Sequence, residues 1–436
     1  MLRIHDTRAR QVEEISGGRA VRVYTCGPAL HRRVHLGDLR TYVLSDLVRR
    51  VLEGRRTRVV ACRHVADLGR PDGEAGGTVR AHEDAFVDDA AALNLRPPEH
   101  APRAGETVDL MIELIAGLVE RGHAYPAPDG SVYFDVRTFP AYGEISGTGL
   151  DDLKPADPVA ADPHRRFHAD WALWRPADGD QGRDAPWGRG LPGPHVACSA
   201  LSLRFLGERI DLHVGDAARC FPHHEAERAQ SDAATGHEVV RHWVHGERPL
   251  FDGREMAESA GDAVLLSDVV AAGLDPLAAR LAFLGHRYRE RLDLSWDVLR
   301  AADRTVRRWR ARVAEWSESP SAPMAASYAE RVGGALDDDL DTPAALAVLR
   351  ELELDESVAP GSKFETFLHL DQVLALDLST EIGKPRVPPA GAGELLAQRE
   401  RAVAANDWAA ADRLRDELAD LGVRVTDTPE GQSWAR

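Results

Sequence analysis

Lysine is nearly absent from this chain of 436 residues. Only three of its 54 basic residues are lysines, at Lys154, Lys363 and Lys384, and the others are arginines. The formal net charge is −17. Because a protein that coats nucleic acid must neutralise many phosphates, this charge excludes a general nucleic-acid coat protein, although it leaves room for a local basic stripe.

Long apolar runs and a rich set of cysteines are missing as well. No run of apolar residues reaches the roughly 18 residues of a membrane span, so we expect no membrane partner. The N-terminal segment MLRIHDTRARQVEEI has no apolar leader core, and we expect no secretion signal. The four cysteines, at positions 26, 62, 198 and 220, are too few and too scattered for a disulfide scaffold. The sequence therefore predicts a cytoplasmic protein.

The order of apolar patterns predicts an α/β fold. AVRVYTCGP (20–28) is typical of a strand, HLGDLRTYVLSDLVRRVLEG (35–54) has the apolar spacing of a helix, and RTRVVACRHVAD (56–67) is typical of a second strand. Short joins between them indicate a βαβ unit and a parallel sheet. HVACSALSLRFLGERIDLHVG (195–215) restarts strand, helix and strand, and the chain after about residue 265 is predicted to be helical.

Four residues have the chemistry of a tetrahedral zinc site. Cys26 and Cys198 are each predicted near the end of an apolar strand, and the segment FPHHEAERA carries His223 and Glu227 four residues apart on one helix face. Two thiolates, an imidazole and a carboxylate complete such a shell. By spacing alone the signal is weak, because buried free cysteines are common in cores, and the competing ligands are Cys220 and His224.

A second candidate site lies where the first strand passes into its helix. His35 and Gly37 stand at this junction, where free backbone N–H groups and the positive end of the helix suit an anion. The glycine permits close approach of a phosphate or ring. The alternative is an ordinary helix N-terminus at which the histidine has no function.

The C-terminal segment contains Trp434, which has two possible roles. It could stack on an unpaired base, or it could dock on its own domain.

Read together, six blocks resemble the cysteinyl-tRNA synthetases, which are class I enzymes, over nearly the whole chain. In chain order they are YTCGP with HLGDLRT, AYPAPDGSVYFDVRTFPAYGEISG, APWGRGLPGPHVACSALSLRFLGERIDLH, FPHHEAERAQSDAATG, DDDLDTPAALAVL and DWAAADRLRDELADLGVRVTDTPEGQSW. The cysteine ligase of mycothiol synthesis is similar in its catalytic half but less so in the terminal helix and tail.

The resemblance implies a Rossmann-type catalytic domain with a parallel sheet, a helical-bundle domain and a small C-terminal domain. The corresponding ranges are 1–150 for the first catalytic half, 151–193 for an inserted connective region, 194–265 for the second half with the zinc site, 266–385 for the bundle and 390–436 for a tRNA-binding-like domain. One long helix is predicted over 395–422.

The resemblance also assigns roles to particular residues. Zinc, the implied cofactor, would be held by Cys26, Cys198, His223 and Glu227 and would bind the thiolate of the substrate cysteine. The residues implied to contact substrate are Cys26, Gly27, His195, His213 and His224. Those implied to bind ATP, with magnesium, are His35, Gly37, Asp38, Gly215, Met256 and Ser259. His35, Gly37 and Arg254 are the implied catalytic residues.

The nucleotide motifs depart from the family pattern. The HIGH motif ends in Asp38, the carboxylate expected to bind the ATP ribose falls on Ala218, and both lysines of the KMSKS loop are glutamates, Glu255 and Glu258. Each charge-assisted phosphate contact contributes about 1.5–3 kcal/mol. These changes therefore predict a loss of about 5 kcal/mol of transition-state binding, unless Arg254, Arg32 and Arg33 rebuild a phosphate clamp.

Three functions follow from the sequence. The first is ATP-dependent ligation of cysteine, through cysteinyl adenylate, to tRNA or preferentially to a small-molecule amine. The second is an ATP-independent aminoacyl transferase or deacylase that uses pre-charged cysteinyl-tRNA. The third is a non-catalytic zinc-containing binding module. We expect the first, because the four zinc ligands are all present.

Overall fold

The computed structural model describes residues 1–16, 18–68, 76–154, 162–177, 182–256, 263–384, 388, 391–428 and 431–435. The chain divides into two compact units, Met1–Thr380 and Glu381–Arg436. None of the described helices is both long enough and apolar enough to cross a bilayer.

The strands and helices of the described residues are as follows. The strands are β1 (Arg3–Asp6), β2 (Gln11–Glu14), β3 (Val21–Thr25), β4 (Val59–Arg63), β5 (Ala124–Pro126), β6 (Val132–Phe134), β7 (Trp171–Pro176), β8 (Gly190–Pro192), β9 (Ile210–Asp216), β10 (Val240–Gly246), β11 (Leu250–Phe251), β12 (Arg254–Glu255), β13 (Asp293–Leu294), β14 (Arg424–Thr428) and β15 (Gly431–Ala435). The helices are α1 (Leu36–Gly54), α2 (Gly76–Ala92), α3 (Val108–Glu120), α4 (Val196–Leu206), α5 (Glu225–Thr235), α6 (Leu266–Ala271), α7 (Leu277–Leu284), α8 (Trp296–Trp316), α9 (Ala326–Asp337), α10 (Thr342–Leu354), α11 (Pro360–Leu374), α12 (Ala392–Ala404) and α13 (Trp408–Asp420).

A four-stranded parallel sheet organises the first unit, and this confirms the predicted α/β fold. Its strand order is β10-β9-β3-β4, and every neighbouring pair is parallel. The chain crosses from β3 to β4 through α1, whose apolar face is buried. Parallel strands that are covered by helices have short, continuous apolar sequences, and β3 and β4 could therefore be predicted from the sequence. The carboxyl ends of β3 and β9 meet at one edge, the place where such sheets bind ligands.

The predicted connective region 151–193 contributes two strands. Strands β7 and β8 extend the β5–β6 hairpin into an antiparallel sheet of order β5-β6-β7-β8. The region predicted to be an inserted connective segment therefore also supplies two strands of a sheet. The strand WALWRP was not predicted, because the region around it is rich in proline, glycine and aspartate. Its Leu173 and Trp174 are fully buried. The sequence pattern failed because these strands are short and separated by turn residues.

Helices α6 to α11 share one hydrophobic core with the parallel sheet. Leu47 of α1, Leu281 of α7 and Leu349 of α10 belong to the same buried cluster. A buried charge lies inside it: Arg280 is fully buried and donates hydrogen bonds to Asp46 Oδ2 at 2.7 Å and to the Leu93 carbonyl at 2.9 Å. The predicted boundary between 265 and 266 is therefore not a break in the core.

The second unit differs from its prediction. The single helix expected over 395–422 is two helices, α12 and α13, and Asn406 between them has a left-handed φ of 58°. Asparagine tolerates this conformation, which ends a helix. The β14–β15 hairpin follows, and Trp434 is half-buried against a small core with Leu396 and Val425. Of the two readings of Trp434, docking on its own domain is the one observed.

Candidate metal and substrate site

The candidate site lies at the carboxyl edge of the parallel sheet. Cys26 and Gly27 directly follow β3, and His213 and Gly215 lie on β9. Gly27 has no room for a side chain, because a Cβ there would lie 2.0 Å from the His64 carbonyl oxygen. At Gly215 a Cβ would lie 2.3 Å from His224 Cε1. Both glycines therefore let neighbouring groups approach the backbone at this edge.

Cys26, Cys198, His223 and Glu227 converge on one point. Cys26 Sγ lies 3.6 Å from Cys198 Sγ, 3.6 Å from His223 Nε2 and 3.2 Å from Glu227 Oε1. Cys198 Sγ lies 3.4 Å from His223 Nε2. Zinc bonds of about 2.3 Å to sulfur and about 2.0 Å to nitrogen or oxygen give tetrahedral edges of about 3.3–3.8 Å. The donors therefore fit a zinc ion, although both edges to Glu227 Oε1 are short, at 3.2 Å from Cys26 Sγ and 2.7 Å from His223 Nε2.

Cys198 reaches this cluster from a helix and not from a strand. It lies in the first turn of α4, which has His195 as its N-cap. The prediction that Cys198 ends a strand was wrong, because the apolar run VACSAL was assigned to the strand before it and is in fact buried helix. His223 lies in a short π-turn just before α5, and this turn brings its ring over Glu227 in the first turn of α5.

Other histidines surround the four donors. His213 Nε2 lies 2.8 Å from Glu227 Oε2, which leaves Oε1 directed at Cys26. His195 Nδ1 lies 2.6 Å from His223 Nδ1, and His224 Nδ1 lies 2.7 Å from His245 Nε2. Contacts of this kind orient ligands in metal centres. Cys26, His213, His224 and Glu227 form an overlapping donor group, so His224 remains a competing ligand, whereas Cys220 is in none of the described groups.

Burial and charge set the protonation of the cluster. Burial raises the pKa of the Cys26 thiol well above its ordinary value, and the neighbouring Cys198 adds to this. Burial also lowers the pKa of His195 to about 3, so its imidazole is neutral. Burial opposes ionisation of Glu227 as well, but the charges of His223 and His213 hold its pKa well below the ordinary range. A divalent cation would take the place of the thiol protons.

His35 and Asp38 cap the first helix reciprocally. The Asp38 N–H donates to His35 Nδ1 at 3.3 Å, and the His35 N–H donates to Asp38 Oδ2 at 3.1 Å. Arg32 binds the same carboxylate through two hydrogen bonds of 2.7 and 3.1 Å. Arg32 therefore neutralises the negative charge that Asp38 places at the N-terminus of α1. Arg32 in turn is committed to Asp38 and is not available for a phosphate clamp in this arrangement.

The altered nucleotide loop is described only at its start. Arg254 is exposed on β12, and the exposed Glu255 pairs with Arg291 at 3.2 Å. Met256 is buried, and a Cβ on Gly37 would lie 3.3 Å from its Cε, so the loop begins beside the His35 site. Glu258 and Ser259 lie outside the described residues.

Two arginines that the sequence did not single out flank the site. Asp216 ends β9, and its Oδ2 lies 3.4 Å from Arg219 Nε and 3.2 Å from Arg248 Nη2. A small cleft between the metal cluster and α1 is lined by Cys26, Asp38, Tyr42, Asp216 and Arg219. Among the described residues, the two Nη atoms of Arg219 make no hydrogen bond. With the Arg32–Asp38 pair neutral, the two arginines and Asp216 leave one net positive charge here.

Comparison with known proteins identifies the family. Residues 12–304 match the profile of the class I (C) tRNA synthetase catalytic domain, and residues 388–434 match that of the cysteinyl-tRNA ligase anticodon-binding domain. The chain belongs to the cysteinyl-tRNA synthetase family. Among curated relatives, the cysteine–tRNA ligase of Gluconobacter oxydans is 37% identical over 451 residues, covering 100% of this chain and 98% of the relative. That of Alkalilimnicola ehrlichii is also 37% identical and is covered completely.

Solved class I synthetases share the fold of this family member. Methionyl-tRNA synthetase of Mycobacterium tuberculosis, bound to methionyl-adenylate, aligns with a TM-score of 0.57 at 15% identity, over 82% of this chain and 92% of that structure. LeuRS of Agrobacterium radiobacter K84, in a ternary complex, aligns with a TM-score of 0.61 at 11% identity, over 83% and 84% of the two chains. At such identities the likeness supports the fold alone.

The Arg32–Asp38 pair of this synthetase-family chain yields a prediction about stability. Burial raises the pKa of Asp38, but the hydrogen bonds and charge of Arg32 and His35 more than offset this and lower it. Replacing Asp38 with asparagine should therefore reduce the free energy of unfolding by about 1–3 kcal/mol near neutral pH. Because the folded pKa is depressed, the difference from wild type should shrink below pH ~4.

Chemical denaturation at several pH values measures this effect. Asp109→Asn is the matched control, since Asp109 is an exposed acid in the first turn of α3. Equal losses in the two variants, or a loss that does not change with pH, would contradict the assignment of the Asp38 effect to its ion pair.

Proposed function

We propose that this chain is a zinc-dependent cysteine–tRNA ligase that still uses ATP. The observation that carries the proposal is the convergence of Cys26, Cys198, His223 and Glu227 at the sheet edge. A zinc ion held by these residues would favour the thiolate of cysteine over the hydroxyl of serine. The cysteine carboxylate would attack the α-phosphate of ATP and release pyrophosphate. The terminal ribose hydroxyl of tRNA would then attack the acyl carbon and release AMP.

His35 supports nucleotide binding through its tautomer. Burial lowers its pKa, so the ring is neutral, and its Nδ1 accepts the Asp38 N–H. The proton therefore resides on Nε2, which is buried and makes no hydrogen bond with the described residues. A neutral N–H donor beside the N-terminus of α1 suits a phosphate oxygen. Gly37 keeps the space next to this ring open, because a Cβ would lie 2.8 Å from it.

Arg219 supports binding of the amino acid. It lines the cleft together with Cys26, and its side chain is 26% exposed, which leaves the guanidinium accessible. The fork of Nη donors matches the geometry of a carboxylate. We assign Arg219 to the carboxylate of cysteine and Arg248, on the other side of Asp216, to holding Asp216 in place. The cleft thus retains positive charge without the two lysines of the loop.

The acceptor is proposed to be tRNA. The match of residues 388–434 to an anticodon-binding domain, together with full-length coverage by cysteine–tRNA ligases, supports this acceptor. The preference for a small-molecule amine that the altered nucleotide motifs suggested finds no support in the comparisons. The changed loop alone does not distinguish the acceptors, because it concerns ATP and not the group that receives the acyl chain.

Two assays on the full chain test this proposal. Cysteine-dependent ATP–pyrophosphate exchange should be detected with the zinc-loaded protein, and a tRNA specific for cysteine should be charged. Absence of exchange at high enzyme concentration would contradict ATP use, and ATP-free transfer from pre-charged cysteinyl-tRNA would favour the transferase alternative. Exchange with charging of an amine but not of tRNA would overturn the proposed acceptor. Serine in place of cysteine is the specificity control.

A further inference from the structure

A second group of possible metal ligands lies outside the cysteine site, where the N-terminal hairpin packs on the sheet. Asp6 ends β1, Glu13 lies on β2, and His242 lies on β10. One ligand atom from each residue lies within 4.8 Å of the others. The nearest pair is His242 Nδ1 and Glu13 Oε2, at 3.1 Å.

Two of these side chains are buried with polar atoms that lack partners. Asp6 is fully buried, and its Oδ1 accepts the N–H of Trp243 at 3.0 Å, but Oδ2 makes no hydrogen bond with the described residues. His242 is 1% exposed, and neither of its ring nitrogens makes a hydrogen bond in the described part of the chain. Buried polar groups without partners are costly and uncommon, so Asp6 Oδ2 and His242 Nε2 need an explanation. His242 Nδ1 makes no hydrogen bond either, but it has the Glu13 carboxylate 3.1 Å away.

We propose that Asp6, Glu13 and His242 bind a divalent first-row transition-metal ion that fastens the N-terminal hairpin to β10. One imidazole and two carboxylates are ligands that Zn²⁺ accepts, and water would occupy the remaining positions. The imidazole disfavours Mg²⁺ and Ca²⁺, which prefer oxygen ligands. The ion would neutralise two carboxylates and bind the orphaned Asp6 oxygen and a His242 nitrogen.

The surroundings are compatible with an ion at this position. Glu13 is 31% exposed, which gives an ion a route from solvent. Next to this point the backbone N–H of Thr7 donates to the Trp243 carbonyl at 2.8 Å and joins the hairpin to the sheet. A metal there would tie the same two segments through side chains.

Zinc stoichiometry and affinity test the site on the full chain. After removal of metal by chelation and titration with Zn²⁺, wild type should bind two equivalents. Glu13→Gln should weaken one of them by at least about 10-fold while leaving the other unchanged. Glu14→Gln is the matched control, because Glu14 is the next residue of β2 and is exposed. Glu13 is chosen because it is partly exposed, so its substitution does not disturb the buried core.

Cobalt substitution separates this site from the cysteine site. The thiolates of Cys26 and Cys198 should give a sulfur-to-cobalt charge-transfer band, whereas the hairpin site should add only weak visible bands. His242→Phe should remove the weak bands and keep the charge-transfer band. A single bound equivalent that carries the full cobalt spectrum, or equal effects of Glu13→Gln and Glu14→Gln, would overturn the proposal.

Discussion

Replacing Cys198 with serine should abolish high-affinity zinc binding at the sheet edge and lower cysteine-dependent ATP–pyrophosphate exchange by at least about 100-fold. Cys198 contributes one of two thiolates, and its sulfur lies 3.6 Å from that of Cys26 and 3.4 Å from His223 Nε2. A hydroxyl is a much poorer ligand for zinc than a thiolate. Because the proposed ion recognises the substrate thiolate, cysteine should also cease to raise the melting temperature.

The matched control for this variant is Cys220→Ser. Cys220 is a half-buried cysteine in the π-turn before α5, and it belongs to none of the described donor groups. This variant should keep its zinc and its activity. Retention of zinc and exchange activity by Cys198→Ser would show that the overlapping group of Cys26, His213, His224 and Glu227 is the functional one. Loss of both properties in the two variants alike would point to general damage to the fold.

Replacing Arg219 with glutamine should lower kcat/KM for cysteine by about 10- to 100-fold in the exchange reaction. The guanidinium lies in the cleft beside Cys26, and a charge-assisted contact to the substrate carboxylate would be lost. The KM for ATP should change little, because the proposed phosphate donor is His35. Arg219→Lys should recover only part of the loss, since a lysine lacks the planar fork.

The Arg219 assignment can be tested by measuring binding alone, with cysteamine, which is cysteine without its carboxylate, as the comparison ligand. Wild type should bind cysteine more tightly than cysteamine, and Arg219→Gln should bind the two nearly equally. Arg209→Gln, at an exposed arginine just before β9, is the control. A raised KM for ATP with unchanged discrimination between the two ligands would assign Arg219 to the phosphates instead.

Local sequence patterns predicted the sheet because its strands are apolar runs joined by short connections. Strands β3 and β4 and the helix between them were located on this basis alone. The short strands β7 and β8 were missed, because turn residues dominate their segment and hide the pattern. The break between α12 and α13 was missed for a related reason: the helical pattern continues through Asn406, and only the backbone conformation reveals the interruption.

The donor cluster needed more than local pattern. Cys26 and Cys198 are 172 residues apart, so spacing alone gave a weak signal. The prediction that they bind the same zinc ion came from the resemblance of the ordered sequence blocks to the family. Electrostatic compensation could not be predicted in this way. The Arg32–Asp38 and Arg219–Asp216 pairs join residues six and three positions apart, and the Arg248–Asp216 pair joins residues 32 positions apart. These contacts depend on side-chain placement, which the pattern of apolar residues does not encode. An isolated arginine in a sequence rich in arginine carries no signal of its own.

The scarcity of lysine has a chemical consequence at the cleft. Lys154 and Lys384 are exposed, and Lys363 is buried with its ammonium group donating to the Glu353 carbonyl at 3.0 Å. The residues that line the cleft carry their positive charge on a guanidinium, which remains protonated and is a poor nucleophile. The cysteinyl adenylate of the proposed reaction would meet no side-chain amine among the described lining residues. The enzyme would therefore be protected from acylating itself with its own intermediate.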